Sequence, residues 1–132
     1  SGPAVRFLYL DASAWVKRYY HESGSAQVHQ LFSGDDARAC SVLGLVEVVS
    51  ALARKCKAQE IPRADFEAKL AEIDRDWQHF IQIELTLNGL DQARDAAVYF
   101  ALRGADAVHF AALQSLRQGL SNSEHKVVLA EN

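Results

Sequence analysis

The sequence predicts an α/β fold, an open and mostly parallel sheet with helices on both faces. Short apolar segments with the character of buried strands alternate with segments whose apolar residues recur at helical spacing. Serine-, glycine- and proline-containing breaks separate them. At 132 residues, with 49% hydrophobic and 23% charged residues, the chain is large enough for one domain with a real core. That domain is expected over residues 4–132, because Ser1-Gly2-Pro3 has the look of a tag-cleavage remnant.

The elements follow in order. "AVRFLYLD" reads as a buried strand ending at Asp11. "SAWVKRYYHE" reads as a helix turning Ala14, Trp15 and Tyr19 toward the sheet, broken by Ser23-Gly24-Ser25. "AQVHQLF" makes a short second helix, stopped by Ser33-Gly34-Asp35-Asp36. "ARACSV" is a strand ending near Ser41, and "LGLVEVVSALARKCKAQE" is a strong helix after it. Ile61-Pro62 restarts the chain, proline being suited to a first helical turn. Phe66, Leu70, Ile73, Trp77 and Phe80 then form one apolar stripe, read as core or dimer interface. "IQIELT" is a third strand, and "LDQARDAAVYFALR" a helix that Gly104 closes in a left-handed conformation. "DAVHFAALQSLRQG" is the last helix and "HKVVLA" the last strand.

Composition excludes several classes. No apolar run has the length of a membrane span, and the start does not read as a signal peptide. Cys40 and Cys56 form no paired spacing, so the expectation is reduced thiols in a cytoplasmic protein. The net charge of −3 argues against a general nucleic-acid coat. An acidic chain can still handle a phosphodiester where part of its negative charge is a metal site. The histidines and cysteines show no zinc spacing, and there is no P-loop or G-x-G-x-x-G.

In parallel α/β sheets ligands gather beyond the carboxyl ends of the strands. Three acids from three segments are placed near that rim. Asp11 ends the first strand; it could simply cap the next helix, although Ser13 also suits that role. Glu47 interrupts an apolar run; the plain account is a solvent-facing position, but Ser50 and Ala51 on the same side leave room for a ligand. Asp106 stands in the first turn of a helix, where any acid is favoured. His109, three residues on, reads as a hydrogen-bonded core histidine rather than a ligand. Converging carboxylates repel unless a cation sits among them, and hard oxygens suit Mg²⁺ or Mn²⁺.

With these residues in view, the chain resembles a known family. "YLDASAWVKRYYHESGS", "SVLGLVEVVSAL" and "RGADAVHFAAL", in this order and spacing, resemble the PIN domain, and more narrowly the toxin ribonucleases of VapBC toxin–antitoxin pairs. The resemblance implies a parallel five-stranded sheet in a three-layer α/β/α fold and a Mg²⁺- or Mn²⁺-dependent endoribonuclease. It implies that Asp11, Glu47 and Asp106 are the catalytic metal-binding acids and that Ser13 supports the first of them. It further implies a homodimer that cuts structured RNA such as tRNA or ribosomal RNA, silenced by a cognate VapB-type antitoxin. Lys17, Arg18, Arg54, Lys55 and Lys57 are candidates to guide RNA, against the plainer account of a solvated helix face. The family pattern also has a further acid just past the last strand, in a stretch like S/T-x-D. Here "VVLAEN" offers Glu131 as a substitute metal ligand, while the matching position falls just after Asn132; either a C-terminal tail carries that acid, the expected case, or the fourth ligand is absent.

Two rival classes fit less well, and one variant stays open. A response-regulator domain wants an acid pair after its first strand, whereas Asp35-Asp36 follows a helix. A haloacid-dehalogenase-like phosphatase wants D-x-D, and Asp11-Ala12-Ser13 lacks the second acid. The open variant is a catalytically degenerate PIN-like module that binds RNA or protein, distinguished by failure to bind Mn²⁺.

Overall fold

The computed structural model describes residues 6–120, together with the backbone of the strand Lys126–Ala130. β1 (Arg6–Leu10) leads through α1 (Ala12–Trp15), a 3₁₀ turn (Val16–Arg18) and α2 (Ser25–Ser33) to β2 (Ala37–Ser41). Next come α3 (Val42–Lys57), α4 (Arg63–Trp77) and β3 (Ile81–Ile83), then α5 (Leu87–Phe100), α6 (Gly104–Gly119) and β4 (Lys126–Ala130). The strands pair in parallel in the order β3-β2-β1-β4. Among the described residues the sheet therefore has four strands, and the fifth implied by the family resemblance is not among them.

Alternation along the strands sorts the core into two layers. Leu10 and Cys40 face Trp15, Val48, Leu52, Phe66, Ile73 and Phe80 from α1, α3, α4 and the turn after it. Tyr9 and Ala39 face the other way, against Ala112 of α6. Alanines let α5 approach α6 closely, through Ala93 against Ala107 and Ala111. The stripe from Phe66 to Phe80 is thus the chain's own core, with Trp15, Trp77 and Phe80 forming an aromatic cluster inside it. Among the described residues no helix is long and apolar enough to cross a membrane.

Two expectations need correction. The helix after Asp11 is much shorter than its pattern suggests, tightening to a 3₁₀ turn at Val16. The cause is tertiary. Arg18 Nε donates to Asp76 Oδ2 at 2.7 Å, Tyr19 Oη donates to the same oxygen at 2.7 Å, and Trp15 Nε1 donates to Tyr19 Oη at 2.7 Å. This network fastens the segment to α4, and local helical propensity yields to it. Gly104 likewise does not close α5. Ala101 takes the left-handed conformation, with φ of 54°, and Gly104 opens α6.

The strand order reverses at β1, since the chain builds outward from β1 to β3 and then returns to place β4 on β1's other edge. A crevice is expected at such a switch point, beyond the carboxyl end of β1.

Candidate active site

Asp11 occupies that point. Its backbone is extended, and its Oδ1 accepts from the Ala14 amide and from Ser13 Oγ, each at 2.9 Å. Capping and function are thus not alternatives: one oxygen is held by the first turn of α1, and Oδ2 has no hydrogen-bond partner among the described residues. Ser13 does not cap the helix itself but donates to the acid that does.

Asp106 reaches the same place from α6. Asp11 and Asp106 line one pocket of about 240 Å³ with Tyr9, Leu102, His109, Phe110 and Leu113. The Asp106 carboxylate is exposed and has neither hydrogen bond nor ion pair among the described residues. Its neighbour on the same helix, His109, is buried as expected of a core histidine, but it is far from inert. Its Nε2 lies 2.6 Å from Glu47 Oε1 and its Nδ1 2.6 Å from Tyr9 Oη.

Glu47 is therefore not plainly solvent-facing, since its Oε1 is taken by His109. It adjoins the pocket through His109, while Ser50 Oγ accepts from Arg54 at 2.7 Å. The structure brings Asp11 and Asp106 together and places Glu47 one imidazole away. No group of three His, Cys, Asp or Glu side chains among the described residues is arranged to hold a metal ion. Glu131 lies outside the described residues.

The site's electrostatics are one-sided. Burial pushes the Cys40 thiol well above its ordinary range, and the charges of Glu47 and Asp11 push it the same way. Burial likewise raises the Tyr9 phenol, with Cys40, Asp11 and Glu47 adding to the effect and the Ser41 amide opposing it. Two buried groups thus sense both acids. No Lys or Arg forms an ion pair with Asp11, Glu47 or Asp106 among the described residues. Carboxylate oxygens without counter-charge beside a pocket are a donor set that suits a hard divalent cation.

The basic side chains near the acids in sequence are mostly engaged elsewhere. Arg18 pairs with Asp76, and Lys55 pairs with Glu60 at 3.7 Å while lying over the Tyr20 ring.

Sequence reasoning missed Tyr9 as a site residue, reading it only as part of a strand, and missed Gly44. A Cβ at Gly44 would collide with Cys40 Sγ and stand 3.3 Å from His109 Cε1, so the glycine makes room for the imidazole. Its place one helical turn before Glu47 was the available signal.

A small parallel α/β domain with acids at its switch point is the class that fold and site define. No family model matches the chain. Its fold is like that in the crystal structure of VapBC2 from Rickettsia felis bound to a DNA fragment from their promoter. The TM-score is 0.61 at 8% identity, over 95% of this chain and 99% of that one. In sequence it is similar to Ribonuclease VapC45 and Ribonuclease VapC49, from the CDC 1551 / Oshkosh and ATCC 25618 / H37Rv strains of Mycobacterium tuberculosis. Each is 40% identical over 108 residues, which is 79% of this chain and 72% of the relative. The chain belongs to the VapC ribonuclease family.

Proposed function

We propose that the protein is a Mg²⁺- or Mn²⁺-dependent endoribonuclease toxin that hydrolyses structured RNA, tRNA or ribosomal RNA. In this reading a cognate VapB-type antitoxin silences it in the cytoplasm. The observation that carries the proposal is the meeting of Asp11 and Asp106, from separate segments, in one pocket beside the His109–Glu47 pair, with no basic side chain neutralising them. Family membership agrees with it.

Asp11, Glu47 and Asp106 would hold the cation. A divalent ion in such a site supplies an activated water at neutral pH and neutralises charge on a phosphate. Asp11 offers Oδ2 while Ser13 and the Ala14 amide hold Oδ1. Asp106 offers an unpaired carboxylate from the first turn of α6. Leu102, Phe110 and Leu113 give the pocket apolar walls. The family's homodimer and its antitoxin both need apolar surface, and Leu87, Val98, Tyr99 and Phe100 on α5 expose it.

The test is a calorimetric titration of Mn²⁺ into the protein, with Asp11→Asn and Asp106→Asn beside it, followed by cleavage of tRNA and ribosomal RNA. Saturable binding and cleavage that both substitutions remove are expected. An intact protein that binds RNA without binding Mn²⁺ would instead be the degenerate binding module. Light scattering on the same sample reads the oligomeric state.

A further inference from the structure

We propose that His109 is a positioning residue of this site, holding Glu47 in its ligand orientation through an Nε2–H whose place on the ring is fixed by Tyr9. The inference rests on the metal-site reading above and extends it to residues that carry no charge of their own in the acid set.

The three acids are held by different means. Asp11 is fixed locally, by Ser13 and the Ala14 amide of its own helix. Glu47 has no such local partner. Its only hydrogen bond among the described residues comes from His109, 62 residues away on α6. A glutamate has enough rotatable bonds to point elsewhere, so this one contact decides where its carboxylate sits.

The direction of each hydrogen bond is assigned from the donors present. The Ser41 amide donates to Tyr9 Oη at 3.1 Å, which uses that oxygen as an acceptor. With one acceptor site of that oxygen taken, the Tyr9 hydroxyl proton is assigned to its 2.6 Å partner, His109 Nδ1. With Nδ1 accepting, the ring proton belongs on Nε2, facing Glu47 Oε1. The opposite tautomer would present a lone pair to the carboxylate. Oε1 is thereby occupied and Oε2 is left for a cation.

The surrounding packing supports the ring in this pose. Tyr9 and His109 meet edge to face, with centroids 5.8 Å apart and an interplanar angle of 73°. Gly44 leaves space at the ring's Cε1 edge. Both sit on elements that flank the strand ends, so β1, α3 and α6 are joined by one line of hydrogen bonds. Partners that orient metal ligands in this way commonly change metal affinity by about 10–100-fold when removed.

The experiment is Mn²⁺ calorimetry on the full chain, comparing wild type with Glu47→Gln, His109→Gln, His109→Asn and Tyr9→Phe. Glutamine keeps an N–H donor within reach of Glu47, whereas asparagine keeps the polarity but is too short. His109→Asn is expected to weaken Mn²⁺ binding about 10–100-fold, and His109→Gln to recover most of it. In parallel, ¹⁵N shifts of the His109 imidazole, without metal, should show the Nε2–H tautomer in wild type and a mixture in Tyr9→Phe. Wild-type affinity in His109→Asn alongside a weakened Glu47→Gln overturns the positioning role and leaves the metal site standing. An Nδ1–H tautomer in the wild type overturns it too. If Glu47→Gln itself binds Mn²⁺ as wild type does, the metal reading of Glu47 fails and the positioning role falls with it.

Discussion

Gly44→Ala tests the packing that seats the imidazole. Gly44 is buried in the first turn of α3, and an added Cβ would overlap Cys40 Sγ and press on His109 Cε1 at 3.3 Å. Cys40 is fully buried on β2, so its sulfur has little room to swing aside. Overpacking of this kind costs about 1–3 kcal/mol. Exchanging glycine for alanine in a helix returns at most about 1 kcal/mol, and less in a first turn. The expected net loss is about 1–2 kcal/mol, read as a lower urea midpoint at unchanged slope. Cys40→Ala alone should lose about 1 kcal/mol, the burial of one sulfur-sized group. The double variant is the sharper measurement. With Sγ gone, the nearest Cys40 atom to the new methyl is Cβ at 3.8 Å, an ordinary contact, so the methyl fills the space the sulfur vacates. The double variant's loss should then fall short of the sum of the two single losses by about 1 kcal/mol or more, as for contacting residues. A Gly44→Ala protein as stable as wild type, or strict additivity in the double variant, would refute the collision and the seat inferred from it.

Other consequences are open to simple assays. Burial, and next the hydrogen bond to Asp76, raise the Tyr19 phenol above its ordinary value. A group with a raised folded pKa stabilises fully below its unfolded value and loses that contribution above it. Stability should therefore fall from about pH 10 upward, Tyr19 contributing about 1.4 kcal/mol per unit beside the raised Tyr9 and Cys40 groups, and Tyr19→Phe should make the slope shallower by that amount. Denaturant midpoints between pH 9 and 11.5 measure this, and a flat profile contradicts it. Cys40 is fully buried with its thiol pushed up, whereas Cys56 is partly exposed, so a thiol-directed disulfide reagent should modify Cys56 alone in the native protein. Labelling of both at equal rates would contradict that burial. Ala101→Gly should stabilise by about 0.5–1 kcal/mol, relieving a left-handed alanine, and Gly104→Ala should stabilise rather than strain α6, because no atom lies within 4 Å of its added Cβ. Thermal melts of the two variants check both signs.

Much of the site's address was legible in the chain, because parallel α/β architecture places strand ends on one rim. Asp11 follows a strand and Asp106 opens a helix, and periodicity alone locates both features. Other features depended on contacts far apart in sequence. Nothing near Val16 announces a 3₁₀ turn, since Asp76, some sixty residues on, pulls the segment out of helical form. Gly104 misled for a related reason. The short link from α5 to α6 needs a left-handed residue immediately after Phe100, and the backbone places alanine there despite its mild strain.

Glu47 and His109 show the same limit in a more useful form. Each taken singly has an undramatic account: a glutamate on the polar side of a helix, and a histidine on the apolar side of another. The two weak signals explain each other once α3 and α6 are in contact across the strand ends. A carboxylate entering a partly buried position requires a donor, and a buried imidazole requires partners for both nitrogens. Tyr9 completes the second requirement and, in the tautomer proposed above, leaves the ring proton to the nitrogen that serves the first. The acid that sequence alone left closest to undecided is thus the one whose placement depends most on the tertiary fold. For that reason substitutions at His109 and Gly44, which remove no carboxylate, are expected to act on the site through Glu47 before they act on Asp11 or Asp106.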